Sequence, residues 1–469
     1  MDSLDLKQSI KLLFKLAIRQ LKRDKRRTLI TGSAISLGLA LFIFSDHIQQ
    51  GSYQSLIKVG ISTQAGHIVI QAQEHKDEQK IHDRQKLSKK LSKKPSRKLN
   101  QLDQRIEKVT ELQMSLEQAL SHAKISGLSL ARAEIGGLLH SPVGGARTRL
   151  LAIDPQLEPK VSDWHKRLVP AKLPQGEKGE PIKSHWLKQD DDRGILLGQK
   201  LAERLDLTVG DKVVFSYSYQ QENQSRLFRV RGVLKLSSED QEASTALITL
   251  NAYNSSLNTQ DQAQKVSIHL EQIDLLPQAL AISHKLVKAH QAKQTNARLK
   301  LESLSWQEAL PALYQFTLKD RQTSLAIFLI MGIMIAIGVL NTVAMSALER
   351  QRYFGVMMAL GLSPKLMGAL LVVEAFVLGI FASMIGLVLG ILVSWPAVEY
   401  GLDLSEMVGE GMEVGGVVME TTIHAVWHPE GLLLFTSASI ILSLLASLWP
   451  AWRTTHLSAL DAMRGPDTQ

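Results

Sequence analysis

Cysteine is absent from all 469 residues, which excludes disulfides, thiolate metal sites and a cysteine nucleophile. The compartment stays open, because a domain that builds its own core needs no disulfide even in an oxidising space. The phosphate-cradling pattern G-x-x-x-x-G-K-[ST] is missing as well, so this sequence offers no such nucleotide site. No catalytic triad, paired-carboxylate site or internal repeat stands out. Lysine and arginine are missing from one long stretch, 396–430, which carries Glu399, Asp403, Glu406, Glu410, Glu413, Glu420 and Glu430 instead.

Mean hydropathy is −0.00, the value of a soluble protein, but it averages two unlike parts. Residues 46–323 are polar, whereas 324–449 are mostly apolar with long charge-free stretches. The net charge of +9 and pI of about 9.4 could serve nucleic acid or anionic lipid. Beside apolar segments, lipid is the better reading and no nucleic acid is expected.

Four stretches have the length and composition of membrane spans: 28–45, 324–347, 367–395 and 431–450. The first is expected to be an uncleaved anchor, since its apolar core starts late and no small-x-small site follows Phe44. Short flanks rich in Lys and Arg stay in the cytoplasm. Lys7, Lys11, Lys15, Arg19, Lys22, Arg23, Lys25, Arg26 and Arg27 precede the first span, Arg350, Arg352 and Lys365 follow the second, and Arg453 and Arg464 end the chain. The expected layout is therefore a basic cytoplasmic N-terminus (1–27), an external domain (46–323), a cytoplasmic segment (348–366), an acidic external loop (396–430) and a cytoplasmic tail (451–469). The fold class is an α-helical membrane protein with one span, a large α+β domain, then three spans.

Within 46–323, spaced apolar residues from His47 to Ile61 predict that the first helix continues as a stalk. A strand is expected at Gly66–Ile70, a helix over Leu102–Leu120, and strands near Arg149–Ile153, Lys212–Tyr217, Phe228–Leu236, Ala246–Leu250 and Val266–Leu270. Gly194–Asp211 reads as strand, helix and turn, and Leu275–Ala292 as a helix. The linker 73–103 carries a dense cationic run over 86–98. It reads as a solvated hairpin or as a contact for anionic lipid or a partner.

Several residues invite functional readings. Asn341, Met345 and Glu349 share a helix face by their spacing of four. Glu374 sits about two turns into the third span, where a charge needs a partner, and Arg350 and Lys365 are candidates. Gly379, Ala382, Ser383, Gly386 and Gly390 form a small-residue face suited to dimerisation or to packing on the second or fourth span. His424 and His428 have ligand spacing, but no third ligand is clear and no metal site is expected. Asp190-Asp191-Asp192 reads as a solvated loop.

The segment ERQRYFGVMMALGLSPKLM, from Glu349, resembles the cytoplasmic segment of FtsX-like permeases. Glu349, Arg350, Arg352, Gly355, Ala359, Leu360 and Gly361 match that pattern, and Tyr353 replaces its usual acidic residue. Glu374 and the glycines after it resemble the family's third span. WPAWR (449–453) and LSALDAMR (457–464) resemble its exit and tail, with Ala459 where the family has Pro. LAIDPQLE (151–158) resembles a strand end of the MacB-like periplasmic core domain. The layout is closest to lipoprotein-releasing permease subunits.

The resemblance implies an ABC transporter permease in a cell inner membrane, itself no enzyme. It implies coupling to a cytoplasmic ATPase in two copies through 349–361, with ATP and Mg on that partner and no cofactor on this chain. It further implies a second permease, as homodimer or heterodimer, and mechanotransmission to the external domain. Lipoprotein extraction, export with a periplasmic adaptor and signalling to an external hydrolase all remain open.

Overall fold

The computed structural model describes residues 14–72, 105–170, 182–220, 222–236, 238–292, 300–359, 363–403, 405, 413–414, 417–419 and 421–456. The cationic run 86–98 and most of the tail lie outside them. Contacts divide the chain into two units: 1–54 with 317–404 and 422–469, and 55–316 with 405–421.

In chain order the helices are α1 (Lys25–Gly60), α2 (Val109–His122), α3 (Gln199–Leu205), α4 (Glu239–Ser244), α5 (Leu250–Ser256), α6 (Leu276–Gln291), α7 (Trp306–Ala309), α8 (Pro311–Glu349), α9 (Gln351–Ala359), α10 (Pro364–Glu399) and α11 (Pro429–Thr455). Residues 14–23 are also helical. Four helices among the described residues are long and apolar enough to cross a membrane: the one containing α1, α8, α10 and α11. One precedes the α+β unit in the sequence and three follow it. Each overruns its expected span. The 39 residues of α8 rise about 58 Å, against a hydrocarbon layer of about 30 Å. Proline opens α10 and α11 at the first turn, where its missing N–H costs no hydrogen bond.

The first unit is these helices. Their outward surfaces carry Leu29, Leu37, Leu329, Met334, Phe381, Leu392, Leu433 and Leu445, each more than half exposed. Such a surface is stable only against lipid or another apolar helix. Inside, Phe42, Phe328 and Phe435 of α1, α8 and α11 meet with ring centroids 4.4–5.0 Å apart. Leu402–Asp403 pairs with Thr422–Ile423 in this unit, and Glu413–Val414 pairs with Val417–Val418 in the other.

The second unit is built on a ten-stranded sheet. Its strands are β1 (Ile68–Ala72), β3 (Gly127–His140), β4 (Gly145–Ile153), β5 (Leu168–Val169), β6 (Gly194–Gly198), β7 (Lys212–Tyr219), β8 (Glu222–Leu234), β9 (Thr245–Thr249), β11 (Lys265–Leu270) and β12 (Leu301–Ser305). The order is β12-β1-β11-β3-β4-β9-β6-β8-β5, with β7 bridging β3 and β8. A separate ladder joins β2 (Ile106–Glu107) to β10 (Gln262–Ala263). Two cores lie on this frame. Leu112, Leu116 and Leu120 of α2 and Val287 of α6 close over Ile68, Ile70, Val266 and Ile268. Leu201 and Leu205 of α3 and Tyr253 of α5 close over Ile135, Leu150, Leu197, Phe215, Phe228 and Ile248.

The helix expected over Leu102–Leu120 is corrected. Ile106 pairs with Ala263 as a strand. Lys108, at φ +51, takes a left-handed turn that an α-helix cannot contain, and α2 starts only after it. The long strand β3 was not anticipated.

Candidate functional site

The most concentrated polar chemistry among the helices surrounds Arg350, the residue joining α8 to α9. Its side chain is 6% exposed. Nη1 donates to Glu374 Oε2 at 3.0 Å and to Gln20 Oε1 at 2.8 Å, and Nη2 donates to Asp24 Oδ2. Glu374 is 13% and Asp24 31% exposed. Burial alone would lower the guanidinium's pKa, but Glu374 and Asp24 outweigh it and hold it above its ordinary value. One cation thus ties the segment before α1, the end of α8 and the first turns of α10. Of the two candidate partners for Glu374, Arg350 takes the role. A small cavity beside the pair is lined by Asp24, Thr28, Thr342, Ser346 and Glu374.

A second set of polar contacts gathers where α1 leaves the other end of the bundle. Asp46 Oδ2 pairs with His428 Nδ1 at 2.8 Å. His47, fully buried, bonds through Nδ1 to Ser394 Oγ at 2.9 Å. Asp320 Oδ2 accepts from Gln49 Nε2 at 2.8 Å and from the Tyr53 hydroxyl. Two turns of α1 therefore touch α8, α10 and the start of α11. Between the two ends, Thr31 and Thr342 hydroxyls meet at 2.7 Å.

The small residues of α10 are spent inside the chain. A Cβ on Gly379 would stand 2.9 Å from Ser443 Cβ, and Ser383 Oγ donates to Ser439 Oγ at 3.1 Å, both on α11. A Cβ on Gly386 would stand 2.8 Å from the Ser36 carbonyl oxygen, and one on Gly390 2.9 Å from Ile43 Cβ, both on α1. Ala382 is buried beside them. The face therefore packs on the fourth and first long helices, whereas dimerisation or packing on the second or fourth was expected.

Other candidate residues are scattered. Asn341 and Met345 lie on the exposed side of α8, and the Asn341 side chain makes no hydrogen bond among the described residues. Glu349 is exposed and Gly355 buried. Ala359 ends α9 and is exposed. Leu360, Gly361 and the Arg352 side chain lie outside what is described. No group of three ligand-type side chains with metal-site geometry occurs among the described residues. Of the two histidines, His428 is engaged by Asp46. In the expected solvated loop Asp190 and Asp192 are exposed, and Asp191 and Asp192 pair with Arg231 and Arg226.

Asp24, Asp46, His47, Gln49, Tyr53 and Asp320 are site residues that sequence reasoning missed. Asp24 had a signal, since it is the one acid between Lys7 and Arg27.

Four helices long and apolar enough to cross a membrane, with polar contacts near both ends of the set, are the architecture of a polytopic membrane protein. Residues 325–459 match the model of the FtsX-like permease C-terminal family. Over this segment the chain is similar to FtsX-like permeases, and over a longer stretch to ABC transporter permeases. It is 25% identical over 303 residues to an uncharacterised ABC transporter permease of Methanocaldococcus jannaschii, covering 63% of this chain and 69% of that one. It is 22% identical over 285 residues to the lipoprotein-releasing system transmembrane protein LolC of Xylella fastidiosa, covering 58% of this chain and 64% of that one. This chain thus spans less than two thirds of that LolC. Among solved structures, the periplasmic region of MacB from Actinobacillus actinomycetemcomitans aligns at 11% identity with a TM-score of 0.31, covering 52% of this chain and 90% of that one. A likeness that low fixes neither fold nor function.

Proposed function

We propose that this chain is the membrane subunit of a transporter whose ATPase is a separate chain, and that it extracts lipoproteins from the inner membrane by moving its α+β unit. The observation carrying this reading is the Arg350 cluster. It sits at the root of the FtsX-like segment 349–361 and binds three parts of the bundle to one cation, so a push on α9 reaches α1 and α10 together. Two cytoplasmic ATPase subunits, holding ATP and Mg, press on 349–361 from one side of the membrane. The α+β unit and 396–430 lie on the other, periplasmic side, and both termini are cytoplasmic, following the charge of the short flanks.

A second permease completes the assembly. With the small face of α10 spent within the chain, the open face of α8 is its docking surface. Asn341 there meets an amide or hydroxyl that hydrocarbon cannot offer. The lipoprotein reading is favoured by the relative named as lipoprotein-releasing. Export with a periplasmic adaptor is the alternative.

Pull-down of the tagged chain from gently solubilised membranes tests the reading. An ABC ATPase with lipidated proteins supports it, and an ATPase with an adaptor moves it to the alternative. No ATPase at all refutes both. Single cysteines at Ser363 and Lys212, probed with a membrane-impermeant thiol reagent on intact spheroplasts, test orientation: only Lys212→Cys should react.

A further inference from the structure

Arg132 is a buried charge in the α+β unit that the proposed function does not use. It lies in β3 opposite Lys265 of β11, its side chain 5% exposed. The guanidinium forks onto Glu158: Nε donates to Oε2 at 3.2 Å and Nη2 to Oε1 at 2.6 Å. Nη2 also donates to the Ser62 carbonyl oxygen at 2.7 Å. The Trp164 ring centroid lies 5.5 Å from Cζ, and the Glu158 side chain is fully buried.

Local structure explains how each partner arrives. Asp154 Oδ1 accepts from the N–H groups of Gln156 and Leu157 at 2.9 and 3.2 Å, and the Glu158 N–H donates to the Asp154 carbonyl. This Asx turn swings the glutamate of Asp154-Pro155-Gln156-Leu157-Glu158 back under the sheet. Ser62 lies in the π turn Ile61–Ala65 that ends α1, closed by Gly66 N–H on the Ile61 carbonyl at 2.8 Å. Gly66 then turns the chain into β1 at φ +67, where a Cβ would stand 2.9 Å from the Ile268 carbonyl oxygen. The end of α1, the turn after β4 and the middle of β3 thus converge on one guanidinium.

We infer that Arg132 and Glu158 form the joint that fixes the exit of α1 on the sheet, so that displacing the last turn of α1 carries β3 with it. A buried ion pair adds little net stability over apolar groups of the same size. A two-pronged fork does fix direction and distance. Arg132 is a positioning residue on this account, and its use in transmission rests on the proposed function.

The natural absence of cysteine makes the test direct. Lys58→Cys in α1 and Arg147→Cys in β4, both exposed, are spin-labelled in the full chain in nanodiscs. Their distance distribution is read by double electron–electron resonance. The parent chain should give one narrow distribution. The double variant R132M/E158L removes both charges, leaves none orphaned, and should broaden it at least twofold at unchanged melting temperature. E158Q, which keeps the size of the side chain, should broaden it less. Equal widths in parent, double variant and E158Q overturn the joint, as does a broad distribution in the parent. The permease is measured alone, so a missing ATPase partner would sink the transporter reading and leave this result standing.

Discussion

Replacing Arg350 should cost more than removing either carboxylate it binds. In R350M, Glu374 and Asp24 lose their shared cation while Glu374 stays 13% exposed. Losing one partner of a buried pair costs about 3–5 kcal/mol. The lower half applies here, because Asp24 is 31% exposed and can rehydrate. In E374Q the guanidinium keeps Asp24 and Gln20, and the new amide can still accept from it. That loss should be about 1–2 kcal/mol, the difference between a charged and a neutral hydrogen bond. D24N should cost about 1 kcal/mol or less. The double variant R350M/E374L leaves only Asp24, 31% exposed and able to rehydrate, facing the site and should recover part of the loss. Reversible unfolding in mixed micelles, followed by tryptophan fluorescence, would rank the four. E374Q costing as much as R350M would refute the reasoning, because Asp24 and Gln20 would then contribute nothing to holding the arginine. So would an R350M/E374L double variant that is the sum of its parts.

Five further outcomes are expected. G386L should disrupt the approach of α1 to α10 by about 1–3 kcal/mol, since its Cβ would meet the Ser36 backbone. G338A, with nothing within 4 Å, should be neutral or slightly stabilising, and the same unfolding assay compares them. His269 in β11 has its pKa lowered to about 3 by burial, then by Arg132 and His67. The folded state therefore binds fewer protons than the unfolded one between pH 6.5 and 3, and its stability is lost as pH falls through that window. H269Q should flatten the denaturation midpoint against pH by up to about 1 kcal/mol per unit. N341L should insert normally yet reduce cross-linking between permeases through Ile337→Cys about threefold to tenfold. G361W should insert normally but separate ATP hydrolysis from transport, measured in reconstituted vesicles.

The spans were legible because a length of apolar residues has one main use, and the helical spacing from His47 onward correctly carried α1 to Gly60. The ends of the helices were less legible. Asp46 and Gln49 look like the wet face of a stalk and Tyr53 like part of its apolar set, and only the arrival of Asp320 and His428 gives them polar partners. Strand β3 was hidden for a different reason. Residues 130–133 and 135 are all buried, so the alternation that marks a half-buried strand is lost in its middle. The adjacent Gly136 and Gly137 interrupt the pattern further. The Arg350 pair could be named in advance only as one of two candidates, since Lys365 has the same charge and only the fold chooses between them.

The strands β1 and β12 are hydrogen-bonded neighbours, with Ile68 opposite Ser305 and Ala72 opposite Leu301. The chain therefore enters and leaves the sheet at one edge, at points a strand's width apart. Such a module can be cut out between Gly66 and Trp306 without opening its frame. It can be produced alone, exchanged for a relative's, or rejoined by a short linker. In evolutionary terms, two helices that receive an insert at so narrow a doorway can exchange the insert while keeping their own packing.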